Sequence, residues 1–269
     1  MARATDEEPG LVGREAAAAL AAFAEDPVAL VTACRRLVDR QPTAGPVWWL
    51  AARVLGAADP EAEAWQAAEL LWGDPTPRAL AAALPDECRV TVLGRPEQVT
   101  AALVRRGDVE ALVVDVHGEG RGLVSQLRRV GTDAHLVDES GLGAAVAASS
   151  LVLLEASALG PSGKQGPSGE PGPSGMVAVA GSRAAAAVAR SAGVPFWAVA
   201  GVGRALPEPL WRALAGRMAA DPAPWTARVE LVVLGAADLV AGPDGLQPTA
   251  DAVADADCPA APELLRAEG

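Results

Sequence analysis

Lysine is almost missing from this chain. The single one, Lys164, lies in a low-complexity stretch, which excludes a lysine Schiff base or a phosphate-loop lysine from the folded core. Arginine must therefore supply the cationic contacts. Histidine occurs only as His117 and His135. Asp115 and His117 stand two residues apart at a strand end, but a metal site needs three or four converging ligands and no further partner is in sight, so no metal is expected, and no cofactor. His135 falls within a strand and reads as a core or edge histidine. The cysteines, Cys34, Cys88 and Cys258, are far apart and odd in number, which fits neither a disulfide framework nor a metal cluster and predicts reduced, buried thiols. No apolar run reaches membrane-spanning length without a charge or a glycine, and Met1 to Gly10 is acidic with no apolar signal region. A cytoplasmic protein with no membrane partner is expected. Clusters of basic residues are missing too, and the net charge of -12 opposes a polyanionic backbone, so direct nucleic-acid binding is not expected.

What the chain does contain is apolar surface: 51% of its 269 residues are hydrophobic, enough for a sizeable core. Between Ala134 and Ala200, apolar runs of strand length (His135 to Val137, Leu151 to Leu154, Val194 to Val199) alternate with alanine-rich helical segments. That alternation predicts an α/β fold with a Rossmann-like, mostly parallel sheet and crossover helices. Arg89 to Leu93, Val109 to Val116 and Val229 to Leu234 read as further strands, and Pro96 predicts a helix to about Arg106.

Ahead of the sheet, Leu11 to Pro85 reads as a helical domain whose starts are marked by Asp26-Pro27, Asp59-Pro60 and Asp74-Pro75, since Asp caps a first turn and Pro fits its first position. Trp65, Ala68 and Trp72 recur at helical spacing, as do Val28, Val31 and Leu37 or Val38, and predict apolar faces turned to a core or an inter-domain seam. The expected organisation is a disordered N-terminus (1–10), a helical domain (11–85), a Rossmann-like domain (86–246) joined through Pro85 to Glu87, and an acidic, Pro/Ala-rich tail packed only in part (247–269).

Gly160 to Gly175 interrupts the second domain with five Gly-x-y triplets closed by another glycine, and Gly-Pro-Ser-Gly occurs in it three times. The stretch is collagen-like by letter, but five triplets are too few to hold three chains together. It reads as an expanded turn forming a mobile, solvated loop, because one retained Gly-Pro-Ser-Gly leaves an ordinary tight connection.

The best site candidate is Gly181-Ser182-Arg183, which opens an alanine-rich helix directly after a short strand and can present free N–H groups, a hydroxyl and a guanidinium to one anion. Arg121, after the glycine-rich turn that begins at Asp115, and Arg95, after the first strand, are candidate phosphate contacts from neighbouring strand ends.

Over roughly Arg89 to Gly245 the order of these pieces resembles the initiation-factor-2B-like family, which joins regulatory subunits of a guanine-nucleotide exchange factor to methylthioribose-1-phosphate and ribose-1,5-bisphosphate isomerases. The residues that carry the resemblance are Val137-Asp138-Glu139-Ser140, Leu154-Glu155-Ala156-Ser157, Ala178-Val179-Ala180-Gly181-Ser182, Val194-Pro195-Phe196 and Asp238 to Gly245. Gly120-Arg121-x-Leu123 is similar to a family helix start, and His117 falls where the isomerases carry a site arginine. The resemblance implies a homodimer paired through the second domain, a phosphorylated small-molecule ligand, and, in the isomerases, a cysteine and an aspartate that move a proton between adjacent carbons. Here Ser157 stands at the aspartate position, no cysteine follows Thr91 to Gly94, and Ala178 and Val179 replace an Asn-Lys pair. Glu155 is the one new carboxylate nearby, either a displaced base or a strand-end carboxylate paired with Arg183 or Arg121. The reading that follows is a non-catalytic protein that binds a sugar phosphate or nucleotide and regulates a protein partner. The alternatives are an aldose-ketose isomerase and, by family name only, a subunit related to translation initiation.

Overall fold

The computed structural model describes residues 9–161, 164–165, 170–171, 174–254 and 256–265. It opens with helices α1 (Pro9–Ala21), α2 (Pro27–Arg40), α3 (Gly45–Gly56), α4 (Pro60–Trp72) and α5 (Thr76–Ala83). Asp26 caps α2 by accepting from the N–H groups of Val28 and Ala29 at 3.0 Å each, and Asp59 caps α4 by accepting from Ala62 at 3.0 Å. The centre of the layer is α3, in which Val47, Trp48, Trp49, Leu50, Ala51, Ala52 and Val54 are all buried.

The expected tryptophan face on α4 is corrected. Trp65 and Trp72 are 43% and 57% exposed, and Val28 on α2 is 77% exposed. Helix α4 instead buries Ala64, Ala67 and Ala68, whose small side chains let it lie close against α1. The tryptophans that fill the core are Trp48, Trp49 and, on the later helix Glu208–Ala219, Trp211.

Arg106 staples the helical layer to the sheet. Its guanidinium donates to the carbonyls of Ala81 and Leu84, both at 2.8 Å, to that of Pro85 at 3.1 Å, and to Asp108 Oδ2 at 2.7 Å. A cation therefore sits on the unpaired carbonyls at the C-terminus of α5.

The sheet is built from β1 (Arg89–Leu93), β2 (Glu110–Val114), β3 (Asp133–Val137), β4 (Leu151–Gly160), β7 (Gly175–Val179), β8 (Phe196–Val199), β9 (Val229–Val233), β10 (Leu239–Gly242) and β11 (Gly245–Gln247). Between β4 and β7 lie two short strands, β5 (Lys164–Gln165) and β6 (Glu170–Pro171), paired antiparallel to each other. Helices α6 (Glu97–Leu103), α7 (Gly120–Arg129), α8 (Leu142–Ala148), α9 (Ser182–Ala192) and α10 (Glu208–Ala219) cross between the strands, and α11 (Thr249–Ala254) follows them. The strand order is β3-β2-β1-β4-β8-β10-β11, parallel except for β11. The chain thus winds one way from β1 to β3 and the other way from β4 to β10, with the reversal between β1 and β4.

Strand β4 belongs to two sheets. Leu151 to Glu155 run parallel between β1 and β8, whereas Ala156 to Gly160 pair antiparallel with β7, which in turn pairs antiparallel with β9. A break in register between Ala156 and Ala158 marks the change and leaves Ser157 unpaired in the ladder.

Gly160 pairs with Gly175, so the two ends of the Gly-x-y stretch close an antiparallel hairpin of β4 and β7. Both end glycines lie against Trp211 of α10: a Cβ would come within 2.2 Å of it at Gly160 and 2.7 Å at Gly175. Half of the stretch expected to be a mobile loop lies outside the described residues, as do residues 1–8 of the expected disordered N-terminus. Pro9 and Gly10 belong to α1. Within the tail expected to be packed only in part, 256–265 folds back onto the helical layer: Cys258, Ala261 and Leu264 are buried, Trp49 Nε1 donates to the carbonyl of Asp257, and Arg35 Nε donates to that of Glu263 at 2.8 Å. Burial pushes the thiols of Cys34 and Cys258 up to about 12. No helix among the described residues is long and apolar enough to cross a membrane.

Candidate functional site

A cleft of about 190 Å³ opens at the C-terminal ends of β1 and β4, where the winding reverses. Open α/β sheets bind ligands at such a switch point, because the two connections leave in opposite directions and part the layer between them. Arg95, Glu119, Glu155, Ser157 and Arg204 supply the cleft's polar groups, and Leu93, Pro96, Val179 and Val229 are among its apolar walls.

Glu155 accepts three hydrogen bonds. Its Oε1 accepts from Arg204 Nη1 at 2.8 Å, and its Oε2 accepts from the N–H groups of Gln98 at 2.8 Å and Val99 at 3.2 Å. It therefore pairs with Arg204, not with Arg183 or Arg121 as the sequence suggested. The physical reason is topological: Arg204 follows β8, the strand parallel to and beside β4, so both side chains emerge at the same sheet edge. Arg204 Nη1 also donates to the carbonyl of Ala156 at 2.6 Å, and its Nη2 lies 3.7 Å from Glu97 Oε2. The two side chains of the pair are only 7% and 11% exposed. The signal for Arg204 was an arginine in a glycine turn, Gly201-Val202-Gly203-Arg204, directly after an apolar strand.

Ser157 sits at the register break of β4. Its hydroxyl donates to the carbonyl of Thr43 at 2.9 Å, just before α3. Gly45 makes that approach feasible, because a Cβ there would come within 2.6 Å of the Ser157 carbonyl oxygen. The helical layer thus reaches the floor of the cleft directly.

Gly181, Ser182 and Arg183 do form a helix start, with Gly181 at a φ of 91° as the N-cap of α9. The N–H of Arg183, however, donates to Glu230 Oε1 at 2.8 Å, and the guanidinium of Arg183 reaches the carbonyl of Leu231 on β9 at 2.8 Å. The hydroxyl of Ser182 is buried with no hydrogen-bond partner among the described residues. None of the three lines the cleft, and Arg121, at the exposed start of α7, does not line it either. His117 has a left-handed φ of 58°, is exposed, and places Nε2 3.4 Å from the carbonyl of Arg228. Of the residues singled out in the sequence, the fold gathers Arg95, Glu155 and Ser157 around one cleft and leaves the others at its margins. Glu119 and Arg204 are additions. Glu119 forms an ion pair with Arg228, the residue just before β9.

Arg95 is exposed at the mouth, its only hydrogen bond among the described residues being a long one of 3.5 Å to Gln126 Oε1, and it can accept an anion. The hydroxyl of Ser157 and the carboxylate of Glu155 are engaged by the chain itself.

No family model matches the sequence, and no curated protein matches it. Solved structures do. The translation initiation factor eIF-2B of Pyrococcus horikoshii OT3 superposes with a TM-score of 0.72 at 12% identity, over 91% of this chain and 92% of that one. Subunit beta of eIF2B from Chaetomium thermophilum gives 0.67 at 14% identity, over 90% and 84%. The tetrameric beta2-delta2 complex of eIF2B from C. thermophilum gives 0.68 at 16% identity, over 92% and 88%. The chain therefore has the fold of initiation factor 2B subunits, with its helical N-terminal part and its mostly parallel sheet.

Proposed function

We propose that this protein is a non-catalytic, cytoplasmic protein of the initiation-factor-2B type that binds a phosphorylated small molecule in the switch-point cleft and acts by regulating a protein partner. One observation carries the reading. Ser157, which stands where a proton carrier is expected, donates to the Thr43 carbonyl, and Glu155, the one new carboxylate nearby, accepts from Arg204 and two backbone N–H groups. Transfer of hydrogen between adjacent carbons needs a side chain that changes protonation state within reach of the substrate, an effect typically worth about two to four orders of magnitude per group. Neither residue is free to do it.

Binding makes no such demand. A phosphate needs a guanidinium and a pocket that excludes part of its water, and the cleft offers Arg95 over apolar walls. The likeness to a tetrameric eIF2B complex supports a role in assembly with itself as a homodimer or with another chain.

The test is an activity assay run beside a binding screen. Incubation with methylthioribose-1-phosphate and with ribose-1,5-bisphosphate is expected to give no ketose product, while sugar phosphates or nucleotides raise the melting temperature by binding the folded state. Robust turnover that Glu155→Gln abolishes would overturn the reading and establish an isomerase.

A further inference from the structure

Carboxylates of the chain itself engage two guanidinium groups at the cleft, those of Arg204 and Arg228, and the two pairs differ in one decisive respect. Glu155 and Arg204 are buried together and further tied to backbone groups, so nothing from solvent can exchange with either. Glu119 and Arg228 are solvated, with side chains 35% and 60% exposed. Glu119 also borders the cleft in which a switch-point ligand would lie. It lines the cleft at the N-cap of α7, and its Oε2 is 3.9 Å from the position a Cβ would take on Gly94, the first residue after β1. Arg228 reaches it from the far side, one residue before Val229, which forms part of the opposite wall.

Resting on the binding reading above, we propose that Arg228 is a second phosphate-binding side chain of the cleft and that Glu119 is a built-in competitor which holds it until a phosphorylated ligand takes it over. A carboxylate offers Arg228 one negative charge on two oxygens, whereas a phosphate monoester offers nearly two charges on three oxygens, and guanidinium groups form their strongest paired hydrogen bonds with such oxyanions. Exchange from Glu119 to phosphate therefore runs downhill at a solvated pair and is impossible at the buried one. Arg95 and Arg228 then approach the anion from the two sides of the mouth. A neutral molecule of the same shape has nothing to offer Arg228 and leaves Glu119 in place, so the competitor acts as a filter for charge.

The experiment is calorimetric titration of ribose 5-phosphate, with ribose as the neutral control, into the wild type, Glu119→Gln, Arg228→Ala and the double variant. All four side-chain states lie at the surface, so melting temperatures without ligand should agree. Glu119→Gln is expected to tighten ribose 5-phosphate binding several-fold. Arg228→Ala is expected to weaken it about 10-fold relative to Glu119→Gln, as loss of a charged hydrogen bond does. In the double variant the gain from Glu119→Gln should vanish, because the two effects run through one contact. If ribose 5-phosphate binds and neither single variant changes its affinity, the inference fails while the binding reading stands. Should the double variant keep the full gain of Glu119→Gln, Glu119 acts by general repulsion and Arg228 has no part. If neither the wild type nor Glu119→Gln binds ribose 5-phosphate or any other phosphorylated compound, the binding reading fails and takes this inference with it.

Discussion

Removing Arg204 tests the architecture of the cleft most sharply. Arg204→Ala deletes the donor to Glu155 Oε1 and to the Ala156 carbonyl, and it leaves the Glu155 carboxylate at 11% exposure with only the two N–H groups of α6 to hold it. Breaking a buried pair by taking away one partner costs about 3 to 5 kcal/mol, because the remaining charge stays desolvated. For a domain of this size each kcal/mol lowers the melting temperature by about 2 to 4 °C, so a fall of about 6 to 20 °C is expected. Urea denaturation followed by tryptophan fluorescence reads the loss directly, since Trp48 and Trp49 are buried. Arg204→Lys should recover only part of it, because an ammonium cannot span the Glu155 carboxylate and the Ala156 carbonyl as the planar guanidinium does. Pairing Arg204→Met with Glu155→Leu should recover most of it, leaving a deficit of about 1 kcal/mol for the lost cap on α6. If Arg204→Ala costs less than about 1 kcal/mol, the pair behaves as a solvated surface contact and the argument for a locked Glu155 collapses.

Two other perturbations have defined outcomes. Shortening residues 160–175 to one Gly-Pro-Ser-Gly keeps the paired end glycines and should change stability by no more than about 0.5 kcal/mol in urea, whereas Gly160→Val drives a side chain into Trp211 and should be severe; equal effects of the two would refute the hairpin reading. Arg106→Ala should lower the urea midpoint at pH 7. Through its hydrogen bond and charge, Arg106 holds the Asp108 carboxyl well below the usual carboxylate range, so that contribution is fully present above the unfolded value of about 4 and fades as pH falls beneath it. The gap between wild type and Arg106→Ala should therefore narrow below about pH 4, and a gap that widens on acidification would contradict the assignment.

The sheet was legible because its information is local. Buried parallel strands read as apolar runs, and Leu151 to Leu154 could hardly be anything else. The same holds for the Asp-Pro helix starts, where cap and ring act within a single turn. What escaped was set by neighbours far away in sequence. Tryptophan at helical spacing looks like a core face in α4, but the partner helix selects the alanines, and no feature of α4 itself records that choice. The site divides in the same way. Arg95, Glu155 and Ser157 announced themselves as polar residues at the ends of apolar strands. Arg204 and Glu119 did not, because their significance depends on which strand lies beside which. At Gly181 to Arg183 the neighbour unseen in the sequence is Glu230, which comes from β9, 47 residues later, to meet the N–H of Arg183.

The return of residues 256–265 to the helical layer has a consequence for synthesis. Trp49 lies 208 residues before its carbonyl partner Asp257. At a translation rate of about 5 to 20 residues per second, the nascent chain waits about 10 to 40 s between making that indole and making the group that covers it. Throughout this interval the face of the layer that will receive Cys258, Ala261 and Leu264 is open to water on the ribosome. An emerging chain of this kind is a natural client for a holding chaperone.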